Sequence, residues 1–232
     1  MNLQGAKIIV TGGSSGLGKA TAKQLKGKGA EVLITGRNEE KLTKVAAELG
    51  VKSVLFDVSD FDKIPELTAK MLSELGGVDV LINNAGIGDF ALLGDITLAQ
   101  FQEVFNTNVF GLTLLTQELL PQFKQQQSGN IINIASTASL KGFAYGSVYA
   151  ASKFALRGLT QCWQAELRKE NIRVIQINPS EVPTAFNAKD RVEREDENNK
   201  LSAKEIADTI VATLEMDNRG FIPEVTVWAT NP

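Results

Sequence analysis

The 232 residues contain no histidine and a single cysteine, Cys162. Those two shortages exclude a Ser-His-Asp triad, a Cys-His dyad, a His-ligated metal and an intrachain disulfide, so any catalysis must use other groups and no metal is expected. A surplus of positive charge is also missing: Lys plus Arg number 24 against 27 Asp plus Glu, a net charge of -3. With a pI near 5.2, the chain is not one that holds nucleic acid by bulk charge. No run approaches the roughly eighteen consecutive apolar residues of a membrane span, and no signal-type apolar region precedes the first apolar run at Ile8. A cytoplasmic protein without a membrane partner is expected. Internal repeats and Gly/Ser linkers are absent as well, so residues 1–232, 43% of them hydrophobic, are read as a single domain with one large core.

What is present is a recurrence of short, β-branched apolar runs. They are Lys7–Thr11, Val32–Thr35, Ser53–Phe56, Val80–Asn83, Ile131–Ile134, Val174–Ile177 and Val225–Trp228. Most are nearly continuous in apolar character rather than alternating, as strands covered on both faces by helices should be. Helical spacing fills the intervals, including Ala20–Lys26, Glu39–Leu49, Leu98–Phe123, Ser147–Lys169 and Ala203–Glu215. Alternating strands and helices predict an α/β fold with a parallel sheet. The most polar stretch, Lys189–Lys200, reads either as a solvated loop or helix face or as a mobile lid, since it follows the sixth strand.

The first strand runs into Thr11-Gly12-Gly13-Ser14-Ser15-Gly16-Leu17-Gly18, and a helical pattern follows. Glycines let the backbone approach a pyrophosphate, and helix N-terminal amides favour negative charge. The spacing is neither G-x-G-x-x-G nor a P-loop. Close packing of helix on strand would also call for glycine here. At the tip of the second strand, where a dinucleotide site carries an acid for a ribose 2′-hydroxyl or an arginine for a 2′-phosphate, stands Arg37 in Ile34-Thr35-Gly36-Arg37. No carboxylate occupies the tip, which favours NADP(H) over NAD(H). An ordinary turn arginine beside Glu39 and Glu40 is the competing reading.

Of the two tyrosines, Tyr149 has Lys153 four residues on, on the same helix face, whereas Tyr145 has no lysine at that offset. A free phenol titrates near pH 10, and bringing it to about 7 needs on the order of 4 kcal/mol, which a lysine and a cationic nicotinamide ring together can supply. Tyr149 is thus a candidate general acid.

Taken together these segments resemble the short-chain dehydrogenase/reductase family over essentially the whole chain. Thr11 to Gly18 matches its T-G-x-x-x-G-x-G turn; Asp57-Val58 resembles its adenine-contacting pair; Asn83-Asn84-Ala85-Gly86 matches its N-N-A-G sequence. Ser136 lies thirteen residues before Tyr149, the family's usual spacing, and Asn108 in Asn108-Val109-Phe110-Gly111 matches its fourth catalytic position. The resemblance implies a doubly wound Rossmann sheet of seven strands in the order 3-2-1-4-5-6-7. It implies a hydride-transferring oxidoreductase acting on a carbonyl or secondary alcohol. Tyr149 would exchange the proton, Ser136 orient the substrate oxygen, Lys153 lower the tyrosine pKa and bind the nicotinamide ribose, and Asn108 hold a water linking Lys153 to solvent. Cofactor contacts would come from Gly12, Ser14, Ser15, Gly16, Leu17, Gly18, Arg37, Asp57, Val58, Asn84, Ala85, Gly86, Tyr149, Lys153, Pro179, Val182 and Thr184.

One position departs from the family. Its usual Pro-Gly after the sixth strand is Pro179-Ser180 here, a change that would alter the backbone angle and the pocket floor. Within the resemblance, a general ketone or aldehyde reductase ranks above a 3-oxoacyl-(acyl-carrier-protein) reductase, because acidic residues beside the site would not attract an acidic carrier. A catalytically idle NADP(H)-sensing protein is the alternative from another class. A nucleotide-sugar epimerase, which shares Tyr-x-x-x-Lys, is disfavoured by the glycine spacing and by the lack of a substrate domain. Homo-oligomerisation, as dimer or tetramer, is implied through the helices Leu98–Phe123 and Ser147–Lys169. Phe154, Leu156, Leu159 and Trp163 on the latter suit either that interface or the core, and Cys162 reads as a small buried hydrophobe or interface residue.

Overall fold

The computed structural model describes residues 1–186 and 194–231. Seven strands form one parallel sheet: β1 (Lys7–Val10), β2 (Glu31–Gly36), β3 (Lys52–Leu55), β4 (Val80–Asn83), β5 (Gly129–Ile134), β6 (Ile172–Pro179) and β7 (Glu224–Val227). Their order is β3-β2-β1-β4-β5-β6-β7, as the resemblance implies. Ile8 pairs with Val32 on one side and with Val80 on the other, so the chain reverses its direction of travel across the sheet at β1. A crevice opens beyond the carboxyl ends of β1 and β4, the place where open α/β sheets bind ligands.

The continuous apolar runs are explained by which face each residue serves. Ile8, Val10, Ile34, Val80, Ile82, Ile132 and Ile175 face one core, which packs on α1 (Gly16–Gly27), α2 (Glu39–Leu49) and α7 (Ala203–Glu215). Their neighbours Ile9, Leu33, Leu81, Ile131 and Val174 face the other, against α3 (Ile64–Leu75), α5 (Leu112–Gln126) and the end of α6 (Ser147–Leu167). Each such side chain is worth about 1.5–3 kcal/mol of burial; β4, β5 and β6 are buried throughout, whereas the edge strand β3 exposes Lys52 and Leu55.

Helix ends follow local chemistry. The Asn38 side chain accepts from Lys41 N at 2.8 Å to start α2, and Gly50 ends it at φ 63 in the left-handed region. Ser202 and Glu205 form a reciprocal capping box on α7. In α1, by contrast, Ser15 makes no side-chain cap bond and the first turn has no acidic residue, so no carboxylate opposes an anion at that helix start.

Two expectations are corrected, and a third falls partly outside the described residues. Leu98–Phe123 is not one helix: α4 (Leu98–Phe105) and α5 are joined by a π turn, Asn106–Gly111. Within that turn Asn108 is buried and its side chain bonds Ile87 and Ser152, as described below. Cys162 is exposed rather than buried, because it lies on the solvent side of α6 while Leu156 and Thr160 face inward. Residues 189–193 of the charged stretch lie outside the described residues. From Arg194 on it is irregular and bound by charge, with Arg194 on Glu197 at 2.9 Å and Lys200 on Glu181 at 2.7 Å.

Candidate active site

The carboxyl end of β1 turns sharply because Gly12 sits at φ 64 and Gly16 at φ 49. Side chains are excluded here by geometry: a Cβ on Gly18 would lie 2.3 Å from Gly12 O, and one on Gly13 2.6 Å from Ile34. The turn is clamped to the loop after β4. Thr11 Oγ1 accepts from Asn84 N and Ala85 N, both at 3.0 Å, and Asn84 Nδ2 donates to Thr11 O at 2.8 Å and Gly12 O at 3.1 Å. Asn84 is therefore occupied in fixing the two loops against each other.

A cleft of about 1110 Å³ runs from this turn across the carboxyl ends of the strands. At one end lies Arg37, exposed, accompanied by Lys41 and Lys44 of α2. Residues 37, 41 and 44 recur at helical spacing, so three cations and the Asn38 cap share one wall; Glu40 is the carboxylate among them. The two lysines belong to no motif at the strand tip; their three-residue spacing on α2 is the sequence signal for them. Asp57 Oδ1 accepts from Ser59 N at 2.9 Å and from Ser59 Oγ at 2.7 Å, which shapes the turn that puts Asp57 and Val58 on the cleft.

The other end of the cleft carries Ser136, Tyr149 and Lys153. Ser136 caps a short turn after β5, its hydroxyl accepting from Ala138 N at 3.1 Å. Lys153 is only 5% exposed and its Nζ donates to Ile134 O at 2.9 Å. That nitrogen stands 5.7 Å from the centre of the Tyr149 ring. Burial without a counter-charge pushes the lysine down to about 8. Tyr149 is raised to about 12 because burial disfavours phenolate, and its hydrogen bond with Ser136 recovers only part of that. Among the protein's own groups desolvation therefore outweighs what Lys153 and Ser136 contribute toward a lower tyrosine pKa.

Asn108 is fully buried and does not line the cleft. Its Oδ1 accepts from Ile87 N at 2.9 Å, and its Nδ2 donates to Ile87 O at 2.8 Å and Ser152 Oγ at 3.0 Å. The π turn brings this amide to both partners, and the side chain has no donor left for a water. A Cβ on Gly86 would lie 3.3 Å from Asn108 Oδ1 and 3.7 Å from Lys153 Nζ, so the glycine keeps this corner open.

Behind Ser136 a polar chain crosses the sheet edge. The single proton of Ser139 Oγ serves Ser136 O at 2.7 Å or Asn178 Oδ1 at 3.0 Å, and Asn178 Nδ2 donates to Glu224 Oε1 at 2.9 Å. Arg157 closes it on Glu224 Oε2 at 3.2 Å. Pro179, Val182 and Thr184 reach the cleft from the end of β6. Ser180 does not have a positive φ, so its backbone conformation does not itself call for glycine. Its N donates to Val227 O at 2.9 Å and its hydroxyl accepts from Ala229 N at 3.4 Å, tying this segment to the chain after β7. Of the expected catalytic and cofactor-contacting residues, all but Gly18 and Asn108 line the cleft.

A model of the short chain dehydrogenase family matches residues 6–195, and the chain belongs to that family. An uncharacterized oxidoreductase of Staphylococcus epidermidis is 33% identical over 222 residues, covering 94% of this chain and 95% of that protein. Among solved structures, a metagenomic short-chain oxidoreductase in complex with NADP is similar at TM-score 0.86, with 31% identity and 100% of both chains covered. An alcohol dehydrogenase from the archaeon Thermococcus sibiricus, complexed with 5-hydroxy-NADP, is similar at TM-score 0.88, with 27% identity over 97% of each chain. Among the described residues no helix is long and apolar enough to cross a membrane, and no group of His, Cys, Asp and Glu is arranged to hold a metal.

Proposed function

We propose that the protein is an NADP(H)-dependent oxidoreductase that reduces a carbonyl to an alcohol, with Tyr149 as the proton donor. One observation carries the reading: a single cleft has a cationic wall of Arg37, Lys41 and Lys44 at one end and Ser136, Tyr149 and Lys153 at the other. The residues present suit the dinucleotide. The glycine turn admits backbone close to phosphate, and α1 starts directly after it, so the positive end of that helix dipole lies at the turn. Arg37 and Lys41 are placed for a 2′-phosphate, and Asp57 and Val58 stand where an adenine would lie. NADPH supplies hydride to the carbonyl carbon when bound. The two NADP-complexed neighbours support the same choice of nucleotide.

Ser136 holds the carbonyl oxygen, and Tyr149 delivers its hydroxyl proton to that oxygen as charge develops. A phenol pushed up to about 12 is fully protonated at neutral pH, the form that reduction requires. Lys153, the nearest cation, stabilises the phenolate left behind, and Asn108 acts as a positioning residue through Ile87 and Ser152. The substrate is a small molecule, the setting cytoplasmic. Exposed Phe110 in the π turn, Leu114 at the start of α5 and Phe154 on α6 support pairing of copies into a dimer or tetramer.

The test is fluorescence titration of the protein with NADPH and NADH, repeated on Arg37→Ala, followed by carbonyl-dependent NADPH oxidation. The proposal expects NADPH to bind more tightly than NADH and the variant to lose about tenfold or more for NADPH alone, the worth of one charge-assisted phosphate contact. Failure of both nucleotides to bind would refute it.

A further inference from the structure

We infer that the substrate of this site is a carbonyl compound with a flat apolar body, an aryl or alicyclic ketone or aldehyde, held by an aromatic wall that the catalytic residues themselves do not require. The inference rests on the carbonyl-reductase reading above. Tyr149 stands between two phenylalanine rings: the centres of Phe90 and Phe186 each lie 5.6 Å from its own, both tilted by 59°. Phe143 adds a further ring 6.1 Å from Phe90. All of them line the catalytic end of the cleft, and they come from separate loops, after β4, after β5 and after β6.

The fold makes room for these rings at specific places. A Cβ on Gly88 would lie within 2.8 Å of Phe90 and 2.9 Å of Phe186, so both rings converge over that glycine. A Cβ on Gly146 would lie 2.5 Å from Phe143. The two loops that carry Phe90 and Phe143 are also locked together, since Ala91 N donates to Tyr145 O at 2.9 Å. Tyr145 adopts φ 66 there, a conformation that costs a non-glycine residue about 1–2 kcal/mol and persists only because its surroundings impose it. The rings are therefore set in position before any substrate arrives.

Yet they are not covered by the protein. Phe90 is 40% exposed and Phe143 50%, which leaves apolar faces toward the cleft beside the proton donor. Tilted rings at this spacing accept a further flat group edge-to-face or offset. Two charged side chains also line the cleft: Glu181, paired with Lys200 at 2.7 Å, and Lys141, two residues before Phe143. The step served is the two-electron reduction already described, with hydride added to the carbonyl carbon, the Tyr149 proton added to the oxygen, and NADPH leaving as NADP+.

The experiment compares kcat and KM for acetophenone, cyclohexanone, acetone and acetoacetate with NADPH, on the wild type, Phe143→Ala and Gly88→Ala. The inference expects the two cyclic ketones to have the higher kcat/KM. Phe143→Ala, at a half-exposed position that does not threaten folding, should raise KM for acetophenone about tenfold, the worth of one aromatic contact. KM for acetone and the affinity for NADPH should stay unchanged. Gly88→Ala, which drives a methyl between Phe90 and Phe186, should discriminate against the cyclic ketones in the same direction. Better turnover of acetoacetate or acetone than of the cyclic ketones, or an unchanged acetophenone KM in Phe143→Ala, would overturn this inference while leaving the reductase reading intact. NADPH binding with no carbonyl reduced would overturn both.

Discussion

Replacing Lys153 by Met should make the protein more stable while disabling it, and the size of the effect should depend on pH. The ammonium is buried and its pKa falls from 10.5 to about 8 because no carboxylate compensates for lost hydration. At 1.36 kcal/mol per tenfold change, holding that charge in the fold costs about 3 kcal/mol at pH 7. Methionine keeps the stem's volume and removes the charge, but loses the hydrogen bond to Ile134 O, worth about 1 kcal/mol. The net expectation without added nucleotide is a gain of about 2 kcal/mol, or about 4–8 °C in Tm for a chain of this size. The sign follows from linkage. Between pH 8 and 10.5 the unfolded wild type binds more protons at this lysine than the folded one, so wild-type stability climbs with pH and the variant's advantage vanishes. Tyr149 titrates in both proteins and cancels in the difference. Urea unfolding of both proteins at pH 7 and pH 10 measures it. A variant less stable at pH 7, or a difference identical at the two pH values, would refute the reasoning.

Two further substitutions probe the frame around the site. Gly18→Ala places a methyl against Gly12 O, where 2.3 Å is available; the turn must open, and NADPH affinity should fall by at least about tenfold with a stability loss of about 1–3 kcal/mol, read by titration and urea unfolding. Ser139→Ala removes the buried hydroxyl that bridges Ser136 O and Asn178 Oδ1; stability should drop by about 1–2 kcal/mol. As a positioning change it should lower kcat several-fold with NADPH affinity unchanged, and Ser139→Thr should restore most of it.

How much of this was legible depended on how local the determining chemistry is. The parallel sheet was legible because Ile8-Ile9-Val10 or Ile131-Ile132 has no polar alternation, and the structure uses successive residues for opposite cores. The glycine turn and the Tyr149–Lys153 pair were legible because each function needs residues close together in the chain. The π turn was not: inside Leu98–Phe123 the helical period looks unbroken, and the distortion is fixed by Ile87 and Ser152, which lie 21 and 44 residues from Asn108. The aromatic wall was equally hidden, since Phe90, Phe143 and Phe186 meet only when separate loops converge. Helix α3 was passed over although Ile64, Thr68, Met71 and Leu75 recur at helical spacing and are buried. The upward push on Tyr149 is a matter of burial, which the spacing of a tyrosine and a lysine does not report.

The central claim is that Tyr149 donates the proton in a reduction driven by bound NADPH, and the most direct measurement is carbonyl-dependent NADPH oxidation by Tyr149→Phe alongside its NADPH titration. The account predicts wild-type nucleotide affinity with turnover reduced by about 10²–10⁴-fold, the usual contribution of a positioned general acid. Turnover within a few-fold of the wild type would contradict it. An NADPH affinity lost together with the turnover would also contradict the separation of binding from proton transfer on which the account stands.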